Sequence, residues 1–347
     1  MENSADQLKV GKIPARILEH LLGQIDINDD RVLLGPMIGE DAAVIDLGDT
    51  VLVAKTDPVT FVSDQVGWYA VHINANDIAC VGATPRWFLA TLLVPEGSTE
   101  AGVSEIFRQL TEACEFMNIQ LVGGHSEVTA AVTQPVVVGA MLGEAQKESI
   151  IRTSGAMDGD SIVLTKGIAV EGSAVLARDA EARLLQAGVG PATVARAKEF
   201  LLDPGISIVK DAQIARAAVE VHCLHDPTEG GVVTGLWEIA KAANLGLSVE
   251  EGSIPVLLET AEICEALGLD PLGLLASGAL LITLPPEDVP PLFKALESEG
   301  IEAFEIGRMM EAEEGVTIIR AHELEALPTF ERDELARFFY DQPKRNG

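Results

Sequence analysis

Basic residues are scarce: 24 Lys and Arg stand against 54 Asp and Glu, giving a formal net charge of −30 and a pI near 4.4. Such a surface repels phosphate backbones and anionic lipids, which excludes general nucleic-acid binding and attachment to a membrane surface. An anionic ligand must therefore be held locally, by backbone amides, by a few chosen Lys or Arg, or through divalent cations. Cysteine is sparse too. Cys80, Cys114, Cys223 and Cys264 form no C-x-x-C pair, so a disulfide scaffold or zinc ribbon is excluded and the four read as reduced structural thiols. Long apolar runs are missing. No uncharged stretch is longer than that at residues 271–286, which contains Pro271, Ser277, Thr283, Pro285 and Pro286 and falls short of the ~20 apolar residues of a membrane span. The start, Met1-Glu2-Asn3-Ser4, lacks a basic-then-apolar signal pattern. The expectation is a cytoplasmic protein. Short-period repeats, low-complexity segments and a G-x-x-x-x-G-K-[ST] loop are absent as well.

What is present is enough chain for two domains: 347 residues with 48% hydrophobic content. Apolar spacing predicts an amphipathic helix over 12–23, with Ile13, Ile17, Leu18, Leu21 and Leu22 on one face. A hairpin follows at 42–46 and 51–55, turning at Leu47-Gly48-Asp49. Helices are expected at 68–81 and 99–117, and strands at 88–94, 119–122 and 136–142. Residues 147–160 interrupt the pattern, which divides the chain into an N-terminal domain, 1–150, and a C-terminal domain, 151–347. The second half opens on a strand at 161–165, and three helical stretches follow. A strand at 221–225 then leads into Gly230-Gly231 and a helix. Further strands and helices alternate to about residue 320, and the charged last 15 or so residues read as surface-lying. The fold class is α+β.

Four constellations could carry chemistry. Facing residues of the first hairpin sum to about 96, which puts Asp41 and Asp57 at the same open end. They either share a divalent cation or make turn hydrogen bonds. Asn74, Asn76 and Asp77 lie in a helix, where Asn and Asp need a reason; either Asp77 is a further metal ligand or the helix stops early. Gly123-Gly124-His125-Ser126-Glu127 reads as a loop after a buried strand, whose amides could approach an anion and whose His125 and Glu127 could move protons; tight turns use the same residues. Thr165-Lys166-Gly167, Glu171-Gly172-Ser173 and Asp226-Pro227-Thr228-Glu229-Gly230-Gly231 mark loop-helix junctions able to meet a ligand.

Taken together, these segments resemble the AIR synthase superfamily, which includes aminoimidazole ribonucleotide synthetase, selenophosphate synthetase, thiamine monophosphate kinase and the hydrogenase-maturation protein HypE. The resemblance runs through GEDAAVI (39–45), KTDPVTF (55–61), NANDIACVGATPRWF (74–88), GGHSEVT (123–129), the stretch 152–177, HDPTEGGVVTGLWEIA (225–240) and ASGALLIT (276–283). It implies an N-terminal domain whose strands pair with a second subunit in a barrel, a C-terminal α/β sandwich, and an ATP cleft built largely by the N-terminal domains. By resemblance, Asp41, Asp57 and Asp77 hold Mg²⁺. Lys12, Lys55, Asn76, Gly123 and Gly124 serve the nucleotide, and Glu127 or His125 aligns the nucleophile. GGHSEVT is similar to the HypE-like group, but His125 stands where HypE and the kinase carry Asp. The Pro-Arg-Ile-Cys tail that carries the carbamoyl group in HypE is also not matched, since the chain closes Pro343-Lys344-Arg345-Asn346-Gly347. The implied protein is a homodimeric, Mg²⁺-dependent ATP-binding enzyme that hydrolyses ATP or transfers a phosphoryl group to an unidentified small substrate. The alternative is a non-catalytic nucleotide-binding scaffold or maturation partner.

Overall fold

The computed structural model describes residues 8–341. The two chain-end expectations, a start without a signal pattern and a tail without a terminal cysteine, lie outside the described residues. Period-two burial builds the first sheet, because alternate residues of β3 (Val51–Val59), β4 (Thr84–Pro95) and β6 (Val136–Ala145) turn inward. With β1 (Val32–Leu34), β2 (Ala43–Asp46) and β5 (Gln120–Thr129) it forms an open six-stranded sheet in the order β1-β2-β3-β6-β4-β5. The short amphipathic helix α1 (Ala15–Leu22) precedes it and has no fully buried residue.

Helices α2 (Val66–Cys80) and α3 (Glu100–Phe116) pack together beside this sheet. Nearly every residue of α2 is buried, which a one-sided apolar stripe would not produce. The close approach of α2 needs Gly139 on β6, where a Cβ would fall 2.3 Å from Asn74 Nδ2.

The second sheet has seven strands in the order β13 (Glu323–Ala326), β12 (Val316–Arg320), β9 (Gly246–Glu250), β11 (Ala303–Met310), β7 (Ser161–Thr165), β10 (Leu281–Leu284), β8 (Cys223–His225). All of β7 and β10 is buried, as expected of central strands covered on both faces. One apolar cluster joins α8 (Gly231–Ala243) to this sheet through Leu236, Ile239, Leu247 and Ile306. A separate cluster joins α7 (Val209–Ala218) and α10 (Val289–Ser298) to it through Ala215, Leu292, Leu224 and Ile282. The remaining helices, α4 (Val170–Asp179), α5 (Glu181–Gln186), α6 (Pro191–Glu199), α9 (Leu258–Leu267) and α11 (Glu334–Tyr340), share one continuous apolar cluster with the first sheet's core.

Three expectations change. The described part of the C-terminal segment, up to residue 341, does not lie wholly on the surface. Within its charged sequence, α11 buries Leu335, Ala336 and Phe338, and the Arg183 guanidinium sits 3.5 Å over the Phe338 ring. Secondly, the glycine-rich stretch is not a loop: β5 runs straight through it as an edge strand, exposed along almost its whole length. Gly124 is required there because a Cβ would meet the Ala90 carbonyl oxygen at 1.9 Å. Finally, the short strands β1 and β13 were not expected. Among the described residues no helix is long and apolar enough to cross a membrane.

Candidate active site

A cavity of about 710 Å³ opens between the hairpin end of the first sheet and the loops that precede α4 and α8. The β2–β3 register, Ala43 opposite Ala54, carries Asp41 to the level of Asp57, as the hairpin arithmetic expects. Both aspartates line the cavity with Asp77 from α2.

Their partners divide them. Lys55 Nζ lies 3.3 Å from Asp57 and 3.3 Å from Asp77. Burial works against its charge, but the surrounding carboxylates, Asp77 first, raise its pKa above the usual lysine value. Asp77 is pushed up by burial, and its Oδ2 is buried without a hydrogen-bond partner. Asp226 is also raised by burial; its Oδ1 accepts from Cys80 Sγ at 3.3 Å while its Oδ2 has no partner. One donor atom from each of Asp41, Cys80 and Asp226 lies within 4.8 Å of the others. The bare buried oxygens of Asp77 and Asp226 are unfavourable unless a cation or a proton reaches them; the carboxylate oxygens of the aspartates suit Mg²⁺, and the Cys80 sulfur does not.

A chain of ion pairs runs beside this cluster. Asp41 Oδ2 is 3.1 Å from His225 Nδ1, His225 Nε2 is 3.1 Å from Glu238 Oε2, and Glu238 Oε1 is 3.0 Å from Lys12 Nζ. Burial disfavours charge on His225, but the two flanking carboxylates outweigh it and hold the ring well above its ordinary pKa. With both nitrogens facing carboxylates, His225 is an imidazolium that donates on each side. Burial alone would raise Glu238, yet His225 and Lys12 pull it down to about 2. His225 and Glu238 were not among the residues singled out from the sequence, although both stand inside the 225–240 segment.

Other expected site residues fall elsewhere. Gly123, Gly124, His125 and Glu127 stand on the exposed edge strand β5 and do not line the cavity; His125 Nε2 is 3.2 Å from Glu127 Oε2. Asn76, expected to serve the nucleotide, does not line the cavity. Its amide donates to the Ile206 carbonyl at 2.9 Å and accepts from the Ile208 amide at 2.9 Å, so the side chain is spent tying α2 to the segment before α7. Asn74 has a similar reason to be in a helix: it accepts from the Asp57 amide at 2.9 Å and so fixes the end of β3 that carries the site. Asn76→Ala should cost about 2–4 kcal/mol by leaving two buried backbone groups unpaired. It should leave nucleotide affinity within about two-fold of wild type; chemical denaturation and calorimetry measure the two effects separately.

The family comparisons agree with this architecture. Residues 39–145 match the family described as AIR synthase related protein, N-terminal domain, and residues 157–320 match AIR synthase related protein, C-terminal domain. The chain belongs to the AIR synthase related family. A hydrogenase expression/formation protein of Methanocaldococcus jannaschii is 26% identical, over 89% of this chain and 91% of its own length. Carbamoyl dehydratase HypE of Cupriavidus necator is 29% identical, over 73% of this chain and 70% of its own. Among solved structures, hydrogenase maturation protein HypE in complex with ATP superimposes with a TM-score of 0.67 at 24% identity, covering 87% of this chain and 92% of that one.

Proposed function

We propose that the chain is a Mg²⁺-dependent, ATP-using enzyme that hydrolyses ATP or transfers a phosphoryl group to a small substrate, and that it acts as a cytoplasmic homodimer. The charge of the cleft carries this reading. Ten Asp and Glu line it against three Lys and Arg, and two of the carboxylates hold bare buried oxygens. A polyphosphate enters such walls only together with divalent cations. The similarity to a HypE structure that contains ATP supports the choice of nucleotide.

Asp41, Asp57 and Asp77 would hold Mg²⁺, with Asp226 beside them. Bound Mg²⁺ supplies neutralisation of the phosphate oxygens and stabilises charge that develops on them. The remaining work falls to the chain's own side chains. His225, fixed between Asp41 and Glu238, orients the Asp41 carboxylate. Lys55 can turn its ammonium from Asp57 and Asp77 toward a phosphate. Lys12 is about half exposed in its pair with Glu238, so that pair is worth little and Lys12 is free to exchange partners.

His125, Glu127, Gly123 and Gly124 reach a cleft in this reading only if a second copy brings its β5 there. The edge itself favours such pairing: ten residues long, unpaired on one side, with Val122 54% and Val128 63% exposed. Light scattering at micromolar concentration should therefore give twice the 36.8 kDa chain mass, and a monomer mass would count against the dimer.

The enzyme reading is tested by following ATP consumption with Mg²⁺ against a panel of small metabolites. Stimulated turnover by one of them supports it. Tight nucleotide binding with slow hydrolysis that no metabolite alters would favour a nucleotide-binding scaffold.

A further inference from the structure

The C-terminal wall of the cleft contains a second group of carboxyls that the nucleotide reading does not use. Glu171 opens α4 and is 3% exposed, and its Oε2 is buried without a partner. Ser277, 1% exposed, lies beside Glu171 and offsets part of the rise that burial gives it, but its Oγ is not within good hydrogen-bond geometry of any partner. Both line the cavity, as do Glu229 and Asp333. Asp333 is held in place by the Gly230 and Leu335 amides, each 2.7 Å from one of its oxygens.

Among the described residues no Lys or Arg forms an ion pair with Glu171, Glu229 or Asp333, although Lys12 lies near enough to Glu229 to offset part of the rise that burial gives its pKa. The cationic side chains among the lining residues are Lys12, Lys55, Arg332 and the imidazolium of His225, which is held by Asp41 and Glu238. Lys12 pairs with Glu238, and Lys55 with Asp57 and Asp77. Arg332 donates to the carbonyls of Val10 and Ala336 and pairs with Asp341. Among the described residues the set of three donors close enough to share an ion, Asp41, Cys80 and Asp226, does not include Glu171. A phosphate or carboxylate placed here would hold Glu171, Glu229 and Asp333 in their protonated forms, whereas a cation meets them ionised and gains their charge.

We infer that this wall receives the second substrate by a protonated nitrogen group (an ammonium, amidinium or guanidinium) whose N–H donors are taken up by Glu171 Oε2 and Ser277 Oγ. Glu229 and Asp333 supply the negative field around it. The inference rests on the reading that the nucleotide occupies the Asp41, Asp57 and Asp77 end of the same cleft. Burial raises Glu171 to about 8, so near neutral pH the empty wall carries the proton that an arriving cation displaces. Binding then exchanges one positive charge for another and releases up to one proton to the buffer. Leu275 and Phe330 also line the cavity and offer apolar surface for the body of such a substrate.

Benzamidine and benzoate are planar and nearly equal in shape but opposite in charge, so they serve as the probes. Each is titrated calorimetrically into the full-length protein at pH 7 and 150 mM salt, which screens the general attraction of a −30 chain for cations. Wild type should bind benzamidine at least ten-fold more tightly than benzoate. Glu171→Gln should erase most of that preference, and Ser277→Ala, which leaves the charge untouched, should weaken benzamidine several-fold. Equal binding of the two probes, or a wild-type preference retained by both variants, would overturn the inference. Mg²⁺ with a non-hydrolysable ATP analogue is titrated separately on wild type. Nucleotide binding without amidine preference sinks the cation pocket alone. A Glu171-dependent amidine preference without nucleotide binding sinks the ATP reading and leaves the pocket standing.

Discussion

Asp41→Asn is expected to weaken Mg²⁺-dependent ATP binding about a hundred-fold or more and to lower the melting temperature even without ligand. Two effects coincide at this residue. Asp41 contributes a carboxylate to the cation cluster, and its loss removes a charged ligand from a site that depends on charge. It is also one of the two carboxylates that flank the buried His225. Removing one partner leaves a buried imidazolium under-compensated, a defect that costs about 3–5 kcal/mol. Asp57→Asn separates the two effects. The Asp57 side chain is 36% exposed and pairs with Lys55 alone, so this variant should lose nucleotide affinity while melting within a few degrees of wild type. Calorimetry paired with thermal melts reads both. Wild-type affinity in the two variants would remove the aspartates from the metal site, and an unchanged melting temperature in Asp41→Asn would show that His225 is neutral.

The ligand-free protein should lose stability as pH rises from about 4.5 to 8. Burial raises Glu171 to about 8 and Asp333 to about 7, against ordinary values of 4.5 and 3.8. An acid whose folded pKa lies above its unfolded value binds more protons when folded. Its contribution is therefore fully present below the unfolded pKa and is lost as pH climbs to the folded one. At roughly 1.4 kcal/mol per unit of difference, each group contributes on the order of 4–5 kcal/mol across its window. Urea midpoints at pH 5, 6, 7 and 8 measure the slope. Glu171→Gln, which is neutral at every pH, should flatten the upper part of the curve, and a wild-type midpoint that rises steadily between pH 5 and 8 would contradict the buried-acid account.

The hairpin that carries Asp41 and Asp57 was legible because period-two burial and turn composition are local signals. The long helix holding Asp77 was legible too, although Asn74 and Asn76 weakened its pattern until their bonds to Asp57, Ile206 and Ile208 supplied the reason. The failures came where a residue's role depends on distant chain. His225 becomes an imidazolium only because Asp41, 184 positions away, and Glu238 close on it. Glu171 becomes a buried acid only because the 275–277 segment bonds to the start of α4 and Asp333, Glu229 and Asp226 approach from distant chain, and no local spacing marks that event. The Gly123-Gly124 pair misled for the opposite reason. Its composition suits a loop, yet Gly124 answers the close backbone of β4 within a continuous edge strand. In α11, Glu, Arg and Asp disguised the buried Leu335 and Phe338 as a solvated tail.

The most direct test of the central claim is calorimetric titration of ATP into the protein, first with millimolar Mg²⁺ and then with the metal removed by EDTA. A cleft lined by ten carboxyls against three Lys and Arg and the His225 imidazolium should bind ATP at micromolar concentration with Mg²⁺ and lose at least about a hundred-fold in affinity without it, as expected where the cations carry the anion. Equal affinity in EDTA, or no heat of binding under either condition, would contradict the assignment of this cleft to a metal-bridged nucleotide.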